Sequence, residues 1–164
     1  MMITEEHLYE QLEELNIPYK IVKHQPVFTT EEADKQIEGH EGVRTKSLFL
    51  QNKKKKRFFI VIMDDSKSLD INFFKDYVDE SRIKLASPET IEKLIGLTPG
   101  IVSVFGLTEA MNDKIEVFYD REMIKEDLLT FHPNTNDKTI FIKTTDIFKF
   151  VASMGYDNQI IDLP

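Results

Sequence analysis

Cysteine is missing altogether from this 164-residue chain. Disulfides and thiolate metal sites are therefore excluded, and the composition is compatible with a reducing cytosol. No window approaches 18 consecutive apolar residues, so no membrane-spanning helix is expected. The N-terminal stretch Met1–His7 lacks the basic and apolar regions of a signal peptide. The plain reading is a soluble, cytoplasmic protein with no membrane partner. A basic excess is also lacking, since the formal net charge is −8, which argues against generic nucleic-acid binding. There is no Gly-x-Ser-x-Gly elbow and no Walker or Rossmann glycine fingerprint. The four histidines, His7, His24, His40 and His132, are scattered without a His-x-x-x-His pair. A zinc site is not expected, and no cofactor is implied.

What is present is an ordinary globular composition, with 41% hydrophobic residues and 12 phenylalanines. A chain of this length forms one domain by default, here residues 1–164, and buries a core without staples. Thr4 offers an N-cap for a helix over Glu5–Leu15, whose Leu8, Leu12 and Leu15 recur at helical spacing. Thr29-Thr30-Glu31-Glu32 matches a capping box for a second helix that ends near Gly39. Asn72–Val78 reads as a third helix. Ser87 and Pro88 open a fourth, closed at Gly96. Thr144 or Thr145 opens the last, which Gly155 closes. Strands are expected at Tyr19–His24, Leu48–Asn52, Phe58–Met63, Arg82–Ala86, Ile115–Tyr119, Thr139–Lys143 and Asn158–Asp162. Helices and strands interleave and several connections look like hairpins. That favours an α+β arrangement, a curved mixed sheet or barrel with packed helices, over a doubly wound sheet.

Four segments have the residue types that chemistry needs. Gly42-Val43-Arg44-Thr45-Lys46-Ser47 ends a glycine-led loop with a lone lysine just before an apolar strand. A lysine held there suits an anionic ligand as a point charge, although an exposed strand-start lysine has the same pattern. Gly96 to Leu107 carries Thr98, Pro99, Gly100 and Gly106. Its backbone N–H groups are of the kind that stabilise an oxyanion, and equally it reads as a helix C-cap with an ordinary turn. Phe131-His132-Pro133-Asn134-Thr135-Asn136 sets polar side chains about a proline-fixed turn. His132 there is either an acid–base group or a turn residue. The run Lys53-Lys54-Lys55-Lys56-Arg57 is either an RNA contact or a solvated hairpin tip. Asp64-Asp65 reads as a strand-ending turn.

The first three segments, in this order and spacing, resemble the synthetase-associated editing domain family (YbaK-like), and among its branches the free-standing prolyl-tRNA editing proteins. The resemblance runs from about Thr4 to Leu163. It implies a curved mixed sheet surrounded by helices, and a metal-independent hydrolase that removes alanine wrongly attached to proline tRNA. The implied partners are the tRNA 3′ acceptor end and, beyond it, prolyl-tRNA synthetase. A protein that grips only an RNA end makes few phosphate contacts and tolerates a negative total charge.

The family's hallmark lysine falls on Lys46, which the resemblance places on the 3′-terminal nucleotide. Amides near Gly100 would hold the scissile carbonyl, and His132 with Asn134 and Asn136 would orient the adenosine or its free hydroxyl. Ser47 stands where many relatives carry asparagine, and Val104 replaces the proline of the family's Gly-x-x-x-Pro pattern. Thr98 and Pro99 belong to the same substrate-binding loop. Val27, Phe28 and Val104 are expected as pocket walls. The departures at Ser47 and Val104 keep open a deacylase for cysteine, serine or threonine. A different class of reading is a non-catalytic module that binds aminoacyl-tRNA or a synthetase through the same cleft.

Overall fold

In the computed structural model, which describes residues 4–164, eight strands join in one mixed sheet. Residues 1–3, part of the stretch read above for a leader, lie outside the described residues. The helices are α1 (Glu5–Glu14), α2 (Thr30–Gln36), α3 (Ile71–Tyr77), α4 (Pro88–Ile95), α5 (Arg121–Ile124) and α6 (Thr144–Ser153). The strands are β1 (Lys20–Lys23), β2 (Val43–Asn52), β3 (Phe58–Asp64), β4 (Ile83–Leu85), β5 (Ile115–Asp120), β6 (Leu128–Phe131), β7 (Lys138–Lys143) and β8 (Asn158–Ile161). The main sheet order is β1-β7-β6-β2-β3-β5-β8, with β4 pairing separately on β2. Its ends, β1 and β8, do not pair, so this is an open sheet and not a barrel. None of the described helices is long and apolar enough to cross a membrane.

The helix starts follow local chemistry. Thr4, Thr29, Asp70 and Ser87 each accept a hydrogen bond from an N–H in the first turn. At α2 the Glu32 carboxylate reaches back to the Phe28 N–H at 3.3 Å. That is one residue before the N-cap, so the capping box is displaced by one position. Gly96 ends α4 in the left-handed region, with φ of 69°. No side-chain cap opens α6, although Thr144 or Thr145 was expected to supply one; the Thr144 hydroxyl donates instead to the Glu126 carbonyl at 2.6 Å.

Two differences from the sequence reading shape the site. First, β2 starts at Val43, five residues before the apolar run that signals it. Lys46 is therefore inside a strand and not on a loop at its mouth. Its neighbours Arg44, Thr45 and Ser47 are half-buried on both faces, which removes the alternation that marks a strand. Second, β6 was not expected at all. Its four residues sit between β2, in parallel, and β7, the next strand in sequence, antiparallel; the β2 partners are remote in sequence.

Alternation along β2 sends Phe49 into the larger core cluster, with Phe105, Tyr119 and Phe150, and Leu50 into a smaller one, with Phe59, Phe74 and Phe118. Val104 lies in the larger cluster and is fully buried. Gly106 completes the turn beside it. A Cβ there would stand 2.7 Å from Leu97 Cδ1 and 2.8 Å from the Ile95 carbonyl oxygen. The Gly106→Ala variant is expected to lose about 1–3 kcal/mol through this overlap, read from urea denaturation.

Candidate functional site

The sheet forks at β2, and the fork holds the cavity. Val43 and Arg44 pair with β6. Leu50, Gln51 and Asn52 pair with β4. Between these two partners one edge of β2 is open, and a cavity of about 210 Å³ occupies the opening. Thr45, Lys46, Ser47 and Leu48 supply one wall. Thr130, Phe131, His132 and Thr139 supply a second, and Pro99, Gly100 and Val102 a third. Ala33, Asp34 and Ile37 of the α2 segment close it with Phe28 and Thr29. A second cavity of about 420 Å³ shares Phe28 and Gly100 with the first and adds Val27, Thr98, Ile101, Thr135 and Asn136.

Lys46, Gly100 and His132, far apart in sequence, thus face one space. Lys46 enters no ion pair among the described residues. His132 Nδ1 lies 3.4 Å from the Lys138 carbonyl oxygen. A carbonyl only accepts, so Nδ1 carries the proton of the neutral ring and Nε2 keeps its lone pair. Burial pushes the His132 pKa below its ordinary value, opposed in part by the Lys138 carbonyl and Asp34. The ring is therefore neutral at pH 7, a hydrogen-bond acceptor or base. Gly100 sits in the 3₁₀ turn Pro99–Ile101, where the Ile101 N–H takes the Thr98 carbonyl. The Gly100 N–H has no acceptor among the described residues.

Other expected residues fall differently. Ser47 and Pro99 line the first cavity. Val27, Thr98 and Asn136 line the second. Phe28 stands at the rim of both, 77% exposed, and so acts as a ledge more than a wall. Val104 reaches neither cavity; Val102 holds the wall expected of it. Asn134 also lines neither. With a positive φ of 59° it turns its amide to the Phe105 carbonyl, 3.3 Å away, and ties the His132 loop to the turn at Phe105. Arg57 is withdrawn from the basic tip: its guanidinium pairs with Glu80 at 2.9 Å and Glu116 at 2.8 Å and donates to the Val78 carbonyl. Lys53–Lys56 are exposed. Seven residues of extended chain separate Lys53 from Lys46, about 23 Å.

Sequence reasoning missed Asp34, which no local motif marks, and read Asp65 only as part of a turn. Asp64 does make that turn, accepting from the Ser66 N–H and hydroxyl. Asp65 instead lies within hydrogen-bonding reach of Asp34 and near Lys46, with its Oδ2 buried and without a donor. Burial, followed by the Asp34 carboxylate, pushes the Asp65 pKa up to about 7. The native state thus holds this proton more tightly than the unfolded chain, whose carboxylate titrates near 4. Asp65 stabilises the fold most below pH 4, loses that contribution between pH 4 and 7, and is unfavourable but constant above. An Asp65→Asn variant keeps a donor for Asp34 without the charge. At pH 8 it is expected to be about 1 kcal/mol more stable, the shift being discounted because the side chain is only half-buried. At pH 4 the gain vanishes, as thermal melts at the two pH values will show. Among the described residues no three His, Asp or Glu side chains cluster as a metal site would need.

A family model described as aminoacyl-tRNA editing domain matches residues 24–150. The chain is 29% identical over 163 residues to the prolyl-tRNA editing protein ProX of Acetoanaerobium sticklandii, covering 99% of each chain. It is 26% identical over 159 residues to prolyl-tRNA synthetase associated domain-containing protein 1 of Bos taurus, covering 94% of this chain and 92% of that one. Among solved structures, one of a candidate trans-editing enzyme for prolyl tRNA synthetase superposes with a TM-score of 0.75 over 99% of this chain and 98% of its own. The identity is 17%, so that likeness speaks for the fold alone.

Proposed function

The chain belongs to the aminoacyl-tRNA editing domain family, and on that premise we propose that it is a trans-editing deacylase that hydrolyses alanine from mischarged proline tRNA. The observation that carries the reading is the convergence of Lys46, the Gly100 amide and the neutral His132 on one fork in the sheet. The relatives named for prolyl-tRNA editing and for the prolyl-tRNA synthetase associated domain support the choice of tRNA.

The reaction adds water to the ester carbonyl and breaks its bond to the ribose oxygen. It yields free amino acid and restores the ribose hydroxyl. Ester hydrolysis needs no protein nucleophile if water is placed and the oxyanion is held. Lys46, unpaired by the protein, neutralises the terminal nucleotide. The Gly100 N–H donates to the carbonyl oxygen as its charge develops. His132 Nε2 accepts from the free ribose hydroxyl or the attacking water, and that hydroxyl helps to place the water. The 210 Å³ cavity is small beside ordinary ligand pockets of about 300–1,000 Å³. It suits the aminoacyl end, and the wider cavity beneath Phe28 suits the adenosine. A second sieve of this kind answers a real need, because a synthetase pocket built for proline gains only about 1–3 kcal/mol against a smaller residue.

Release of amino acid from proline tRNA charged with alanine, cysteine or serine tests the proposal. Faster release of alanine supports it. Preference for cysteine or serine moves the assignment to a sister activity. No release above the buffer rate, with the tRNA still bound, leaves a binding module and removes the enzyme reading. A standing complex with prolyl-tRNA synthetase belongs to the same proposal and is checked by co-purification.

The exposed lysines of the tip supply steering and not chemistry. Replacing Lys53, Lys54, Lys55 and Lys56 with glutamine is expected to raise KM for tRNA about tenfold at low salt, with kcat unchanged. At 0.5 M salt the difference should close; a KM ratio independent of salt would exclude the tip from the interface.

A further inference from the structure

The register of β2 exposes a donor that its side chains conceal. In an antiparallel ladder, alternate residues turn both backbone groups toward the same neighbour. The Arg44 carbonyl accepts from Asp65, and the Asn52 N–H donates to the Arg57 carbonyl, so both residues face β3. Between them the pairing with β3 advances one for one from Thr45–Asp64 to Gln51–Phe58, without a bulge. Even-numbered residues of β2 therefore bond to β3, and odd-numbered residues turn their N–H and C=O groups the other way. Phe49 confirms the parity, because its carbonyl accepts from Ala86 beyond β4. Ser47 shares that direction, yet β6 has ended and β4 has not begun. No acceptor among the described residues takes the Ser47 N–H. The His132 carbonyl, the next place along the β6 side, is engaged by the Asn134 N–H at 2.9 Å.

A main-chain N–H is seldom left unpaired inside a sheet. Here it opens into the cavity that Lys46, Gly100 and His132 also line. We propose that the Ser47 main-chain N–H is a catalytic oxyanion donor, working with the Gly100 N–H on the ester carbonyl. This rests on the deacylase reading above and deepens it. It assigns residue 47 a role that its side chain does not carry, which is why serine stands there without loss of the donor. The open edge of β2 is held by β3 on one side and by β6 and β4 above and below, so the donor is fixed before substrate arrives, as oxyanion stabilisation requires.

The test compares two proteins that differ in one backbone group. Ser47→Ala removes the hydroxyl and keeps the amide. Lactic acid incorporated at position 47 has the same methyl side chain with an ester oxygen in place of N–H. Both are assayed on Ala-tRNA(Pro) under single-turnover conditions. The ester protein is expected to turn over about 100-fold more slowly than Ser47→Ala, with KM within about threefold. Its melting temperature should fall only slightly, because no protein acceptor loses the Ser47 N–H and only the Lys46 carbonyl, now an ester carbonyl facing Met63 of β3, accepts more weakly. Ser47→Pro removes the same N–H by ordinary mutagenesis and is expected to share the kcat loss. Equal kcat in the ester protein and Ser47→Ala overturns the proposal while leaving the deacylase reading intact. A loss confined to KM also overturns it, as does a kcat loss accompanied by loss of the folded state. If the unaltered protein releases no amino acid from any charged tRNA, the deacylase reading fails and this assignment falls with it.

Discussion

Lys46→Ala is expected to lower deacylation of Ala-tRNA(Pro) by about 100-fold or more, with the melting temperature changed by no more than about 2 °C. The rate effect follows from the site's charge. Lys46 lines the cavity and has no carboxylate partner in an ion pair, so its charge is available to the substrate. In a partly buried site such a charge acts on a developing or bound anion far more strongly than in water. The small stability effect follows from the same fact, since no native ion pair is broken and the strand position tolerates alanine. Full activity in Lys46→Ala removes the central assignment. Loss of both activity and folding would instead make Lys46 a structural residue.

The second large effect concerns His132. Its neutral ring, with Nε2 bare, is suited to accept a proton or a hydrogen bond, a role worth about 10²–10⁴-fold in rate. His132→Gln is expected to lose about 100-fold in kcat. The pH profile distinguishes the role. Burial depresses the His132 pKa, with His24 adding to the depression and the Lys138 carbonyl and Asp34 opposing it. In the unaltered protein, activity should therefore hold at neutrality and fall only on acidification below the usual histidine range, as the ring protonates. His132→Gln should lose that acid limb. Asp65 titrates nearby, close to pH 7, so the measurement is repeated in Asp65→Asn. An acid limb that persists in His132→Gln but vanishes in Asp65→Asn would transfer the role to the carboxylate pair.

The basic tip shows how a motif divides once neighbours are known. Five consecutive cations look equivalent in the chain, yet Arg57 bonds to Glu80 and Glu116 and joins the segment after α3 to β5. Val104 shows the converse. Its place in the loop pointed to a pocket wall, and the packing of Phe105 against Phe131 and Phe150 draws the turn into the core instead.

Local chemistry was enough for most helix boundaries, for the β2–β3 hairpin and for a mixed sheet with packed helices, while only the strand order decided between an open sheet and a barrel. Caps, glycine stops and apolar runs act between residues a few places apart, so they can be read along the chain. The resemblance, carried by the order and spacing of three motifs, singled out Lys46, Gly100 and His132, which line one cavity; by local pattern alone each fitted an ordinary strand start, C-cap or turn equally well. The strand β6, the early start of β2, the Asp34–Asp65 contact and the unpaired Ser47 amide have no such signature. Each depends on which distant segment lies alongside, and a half-polar strand beside a cleft looks like a loop until its partners are in place. The cavity itself is of this second kind: it exists because β6 stops, β4 starts late, and the edge of β2 between them is left open.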